Sequence, residues 1–138
     1  MTKNIVNNGF MASKPPRPTE AELTILRVLW DHGPLSVRDV LRWLNEAKPT
    51  GYTTVLKMLQ IMTEKGLVDR DETRRPQIYR ARHTREHTQQ QLVTNLLDRA
   101  FGGSVRTLVL QALTAKKSSR EELEAMEKLL DRFERGAK

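Results

Sequence analysis

Between residues 19 and 82, apolar residues recur at helical spacing in three blocks and then at strand spacing in two. Leu23, Leu26 and Trp30 stand at i, i+3 and i+7, flanked by Ile25 and Leu29, behind Thr19-Glu20-Ala21-Glu22, the hydroxyl-x-x-Glu order of a capping box. This predicts a helix that stops at His32-Gly33-Pro34. Val37, Val40, Leu41 and Leu44 repeat the spacing behind Ser36 and predict a second helix, with Lys48-Pro49-Thr50-Gly51 turning the chain into a third. In that third helix Tyr52, Val55, Leu56, Leu59 and Met62 share one face, which predicts their burial and leaves Thr53, Thr54, Lys57, Gln60 and Ile61 outside. Gly66 after Lys65 suits a left-handed C-cap. Residues 68–72 and 77–82 read as the strands of a hairpin around Thr73-Arg74-Arg75-Pro76, whose proline fits a tip better than a central ladder. The expected fold class is mostly α with a small β-hairpin wing. An N-terminal winged helix-turn-helix domain over 19–82 is followed by a C-terminal three-helix dimerisation region over 83–138.

The second region rests on three further apolar stripes. Leu92, Val93, Leu96, Leu97 and Ala100 form one, Gly102-Gly103 interrupts, and Val105, Leu108, Val109, Ala112 and Leu113 form the next. Ser119-Arg120-Glu121-Glu122 then caps a helix carrying Leu123, Met126, Leu130 and Phe133. Three such helices are too few to bury their own apolar faces, so a second copy is expected to cover them. The candidate dimerisation residues are Leu92, Leu96, Val105, Leu108, Val109, Leu113, Leu123, Met126, Leu130 and Phe133.

Charge sharpens the picture. The chain of 138 residues carries a formal net charge of +7, of which residues 1–82 hold +5 and residues 83–138 hold +2. The excess therefore lies with the helices and hairpin of the first part, as nucleic-acid binding requires. There are no cysteines, so disulfides, thiolate zinc sites and thiol switches are excluded. With neither a signal-peptide apolar block nor a long apolar run, a cytoplasmic location without membrane insertion is expected. Residues 1–18, polar and proline-rich towards their end, read as a disordered arm, with Lys14 and Arg17 as candidate minor-groove contacts.

The outward face of the third helix offers hydroxyls, an amide and a cation, groups able to reach base edges and phosphates in a major groove. The candidate DNA contacts are Thr53, Thr54 and Lys57, with Gln60 secondary, Arg74 and Arg75 on flanking phosphates or in the minor groove, and Tyr52 giving its hydroxyl to a phosphate while its ring packs inward. A competing motif is His83-Thr84-Arg85-Glu86-His87, an H-x-x-E-H pattern whose His83 and His87 would ligate zinc while Glu86 polarises water in a metallopeptidase. It begins at a strand-to-helix junction and lacks an evident third ligand, so no cofactor, metal or enzymatic activity is expected.

Together, PTEAELTILRVLW, GPLSVRDV, GYTTVLKML, EKGLVDRD and IYRA resemble, in this order, the penicillinase repressor (BlaI/MecI) family over roughly residues 17–133. The resemblance implies a cytoplasmic homodimeric repressor that binds double-stranded DNA at an inverted-repeat operator. It also implies release by a membrane sensor protease that cuts in the segment from Leu108 to Leu113. Some relatives have an Asn-Phe bond where this chain has Gln111-Ala112, and relatives often carry a basic residue where Ile61 stands, so the resemblance fixes neither the protease specificity nor the operator sequence. Copper-responsive relatives use C-terminal cysteines, which this chain lacks. The alternative reading is a winged-helix regulator that senses a small molecule.

Overall fold

The computed structural model describes residues 17–136. The expected arm therefore lies outside the described residues, apart from Arg17 and Pro18. The chain forms two compact units that meet after Leu92.

The first unit holds α1 (Glu20–His32), α2 (Val37–Asn45), α3 (Tyr52–Lys65), β1 (Val68–Asp71), β2 (Ile78–Ala81) and the start of α4 (Arg85–Ala100). Local chemistry sets its boundaries. The Thr19 hydroxyl accepts from the Glu22 amide at 3.1 Å, and Glu22 Oε1 accepts from the Thr19 amide at 2.8 Å, closing the capping box. Ser36 caps α2 through the Asp39 amide at 3.2 Å. Gly33 at φ 85° and Gly66 at φ 82° end α1 and α3 in conformations that an L side chain resists. The β1–β2 ladder is antiparallel, pairing Val68 with Ala81 and Asp71 with Ile78. Each strand is a residue or two shorter than the sequence pattern suggests.

One pairing was not anticipated. Leu35, in the turn between α1 and α2, exchanges two backbone hydrogen bonds with Tyr79 of β2, at 2.9 and 2.8 Å. The bridge supplies a one-residue third strand and places the buried Tyr79 ring in the core with Ile25, Leu29, Val40, Val55, Leu59, Met62 and Val68. The buried face of α1 also differs from expectation. Ile25, Leu26 and Leu29 are its buried apolar residues, while Leu23 and Trp30 are only half-buried. The reason lies in the indole N–H, which donates to the His83 carbonyl at 3.0 Å and so draws Trp30 towards the start of α4. Arg85 pairs with Asp31 beside it.

The second unit holds the end of α4, α5 (Val105–Ala115) and α6 (Arg120–Gly136). Ser104 and Ser119 cap the last two helices, the latter with Glu122 in a reciprocal box. No residue of α5 or α6 is buried.

Glu22 is the buried charge of the first unit. Its side chain is 8% exposed and pairs with Lys65 at 2.7 Å, tying the first turn of α1 to the last turn of α3. Burial pushes its pKa up, but the Lys65 ammonium and the Thr19 amide and hydroxyl more than offset this and hold it below 4.5. A depressed folded-state value means that the stabilisation is present above the unfolded pKa and is lost as pH falls through the folded one. Glu22→Gln is therefore expected to cost about 1–3 kcal/mol at pH 7 by chemical denaturation. The gap between parent and variant should narrow below pH 4.5. A gap independent of pH would contradict the assignment.

Candidate nucleic-acid interface

Helix α3 is held by one face. Val55, Leu59 and Met62 are each fully buried, so the opposite face is committed to solvent. Thr53, Thr54, Lys57, Gln60 and Ile61 all lie exposed on it. The N-terminus of α3 is open too. Whereas α1 and α2 have hydroxyl caps and acidic first turns, α3 has Gly51 at its N-cap, no side-chain cap and no acidic residue in its first turn. Unfilled amides and the positive end of the helix dipole make that terminus attractive to phosphate. The preceding turn is braced by the Thr50 amide donating to Asn45 Oδ1 at 2.7 Å.

Tyr52 departs from expectation. The residue is 44% exposed rather than packed inward, because as the first residue of α3 it lies beyond the end of the core stripe. The Arg38 guanidinium lies over it, 5.6 Å from the ring centroid. Leu56, expected on the buried face, is only half-buried. Arg38 was missed in the sequence, although its signal was present. With Val37, Val40 and Leu41 facing the core, position 38 falls on the outer face of α2. Arg38 and Tyr52 line an open cleft of about 450 Å³ together with Ser36, Leu56, Pro76 and Gln77, which brings the starts of α2 and α3 beside the wing.

The wing tip is internally organised. Asp71 accepts from the Thr73 amide at 3.0 Å and the Thr73 hydroxyl at 2.6 Å, and these bonds lower its pKa. The Arg75 guanidinium folds back onto the carbonyls of Glu72 and Arg74, at 2.7 and 3.2 Å. Arg74 is exposed, with no side-chain hydrogen bond or ion pair among the described residues. Of the two arginines singled out in the sequence, Arg74 is thus the more available for a phosphate, while Arg75 shapes the tip.

The zinc-like motif takes a different form. His83 precedes α4 rather than lying within it, and its ring stacks on that of His87 with centroids 4.8 Å apart. Burial, and then the charges of His87 and Arg82, lower the His83 pKa. Among the described residues no group of three or more His, Cys, Asp or Glu side chains is arranged to hold a metal ion.

Comparison with known proteins adds four findings. Residues 18–132 match the family model described as the penicillinase repressor. The penicillinase repressor of Bacillus licheniformis is 23% identical over 118 residues, covering 86% of this chain and 92% of its own. A MarR family protein from Bacillus stearothermophilus superposes with a TM-score of 0.50 at 16% identity, over 91% of this chain and 78% of that one, a likeness of fold. YusO from Bacillus subtilis gives a TM-score of 0.46 at 18% identity, over 87% and 77% of the two chains.

Two variants test the interface. Lys57→Ala is expected to cost about 1–3 kcal/mol on a specific operator, read by fluorescence anisotropy. Arg74→Ala combined with Arg75→Ala should weaken specific and non-specific DNA alike and flatten the salt dependence by about one to two units. Unchanged affinity in both variants would remove this face from the DNA.

Proposed function

Because this chain belongs to the penicillinase repressor family, and is a DNA-binding transcriptional repressor rather than an enzyme, we propose that it acts as a homodimer on an inverted-repeat operator. Residues 19–82 are its DNA-binding domain. Helix α3 enters the major groove with Thr53, Thr54 and Lys57 foremost and Gln60 behind them, and Arg74 reaches a flanking phosphate. Arg38 and Tyr52 extend the contact to the phosphates beside the start of α3. The open N-terminus of that helix, flanked by Arg38 and the wing, is the main support for this placement.

Residues 83–138 are the dimerisation region of this reading. The carrying observation is the exposure of large apolar side chains on all three of its helices: Leu96 on α4, Val105 and Val109 on α5, and Leu130 and Phe133 on α6, the last two 66% and 69% exposed. Apolar area of that extent is covered by a partner in a stable repressor, and a two-fold dimer reads two half-sites at fixed spacing. Leu108, Leu113, Leu123 and Met126 lie on the same two helices, α5 and α6, whereas Leu92 lines a cleft of the first unit.

Release of the operator follows from losing the dimer. Gln111 and Ala112 are exposed but lie within α5, so a sensor protease of the membrane would need that helix to open locally before cutting there. A cytoplasmic location accords with this role. Among the described residues no helix is long and apolar enough to cross a membrane.

Leu130→Asp separates dimerisation from folding. The residue is largely exposed in one copy, so a charge there should leave the chain folded yet be costly in an apolar interface. Sedimentation is expected to give a folded monomer whose operator affinity falls at least about tenfold, since only one half-site is engaged at a time. A monomeric parent, or a variant that stays dimeric, would contradict the reading.

A further inference from the structure

A second cleft, of about 380 Å³, lies in the first unit between α1 and the first turns of α4, and no residue of α3 lines it. Its apolar lining is Leu23, Trp30 and Leu92. Its size falls within the range of small-molecule sites, which pair an apolar floor with a few placed polar groups.

Three of its features are not explained by folding alone. Thr88 lines the cleft and is only 5% exposed, yet its hydroxyl has no hydrogen-bond partner among the described residues. A buried hydroxyl left unsatisfied is uncommon and costs stability, so a group that completes it would bind with that cost recovered. Trp30 is held in place rather than loosely exposed. Its indole N–H is tied to the His83 carbonyl and its ring lies 5.7 Å beneath the Arg85 guanidinium. The aromatic wall is therefore preorganised. Finally, Arg85 is neutralised by Asp31, whereas Arg27 on the rim has neither an ion pair nor a hydrogen bond among the described residues.

From this combination we infer that the cleft between α1 and α4 is a binding site for a small aromatic monocarboxylate. The ring lies along Trp30, Leu23 and Leu92, the carboxylate meets Arg27, and a polar substituent or carboxylate oxygen pairs with the Thr88 hydroxyl. Glu20, also on the rim, disfavours a second negative charge. The site has regulatory meaning because α4 runs unbroken from Arg85, beside the ligand, to Ala100 in the second unit. A ligand that prefers one arrangement of that helix shifts its population. The site lies outside the DNA-contact residues, so its test is independent of operator binding.

The probe is 2-naphthoate, titrated into the full chain and followed by the indole N–H resonances of the two tryptophans, with Trp43→Phe assigning them. The Trp30 resonance is expected to shift saturably while that of Trp43 stays still. Thr88→Val and Arg27→Gln should each weaken binding about fivefold or more, the loss of one hydrogen bond or charge contact. Thr88→Val should also melt no lower than the parent, because it removes a hydroxyl that the fold does not use. Neutral 2-naphthalenemethanol should bind more weakly than naphthoate to the parent and equally weakly to Arg27→Gln. No saturable shift at millimolar probe, equal shifts of both indoles, or variants that bind like the parent would overturn the assignment. So would a Trp30 resonance that moves with protein concentration and ignores the probe, since a second copy would then fill the cleft.

Discussion

The burial of Val55, Leu59 and Met62 sets the rotational phase of α3, and the rest of the first unit depends on it. Each of these side chains contributes roughly 1.5–3 kcal/mol by leaving water. Turning the helix by one residue, about 100°, would take them out of the core and drive Thr54 or Gln60 into it. The outward set of hydroxyls, cation and amide is thus presented to solvent by the same packing that makes the domain stable. The Lys65–Glu22 pair fastens the far end of the helix to α1, so that α3 is fixed along its axis as well as around it.

The wing is positioned by a smaller device with similar reach. Two hydrogen bonds between Leu35 and Tyr79 join the α1–α2 turn to β2, and the Tyr79 ring anchors that strand in the core. The hairpin is otherwise a two-stranded ribbon, a form that is marginal by itself. Tied at its root, it holds Pro76 and Gln77 against the starts of α2 and α3 and leaves Arg74 at the free tip. The second unit follows the opposite logic. Its helices are well capped, but capping satisfies only their ends, and large apolar side chains on them remain exposed.

Most of the first unit was legible because its signals are local. Thr19 to Glu22, Ser36, Gly33 and Gly66 mark helix ends through hydrogen bonds and backbone angles that involve near neighbours in sequence. The outward residues of α3 follow from a single period. What could not be read depends on contacts distant in sequence. The Leu35–Tyr79 bridge spans two helices, the turn of Trp30 towards His83 is decided by a carbonyl acceptor 53 residues away, and Arg38 over Tyr52 needs α2 and α3 already packed. Arg75 escaped for a related reason. Composition marks it as a cation, but only the tip's geometry shows that its guanidinium is occupied by backbone carbonyls.

The central claim, that the outward face of α3 reads a major groove in a two-fold complex, is tested most directly by methylation protection on an operator selected from a random-sequence pool. Dimethyl sulfate modifies guanine N7 in the major groove, an atom that a recognition helix covers. The account predicts two clusters of protected guanines whose centres lie about 10–10.5 base pairs apart, or a multiple of that spacing, with protection lost in Lys57→Ala at low protein concentration and restored at high. Protection confined to minor-groove adenine N3, or a single cluster on an operator bound at full affinity, would contradict it.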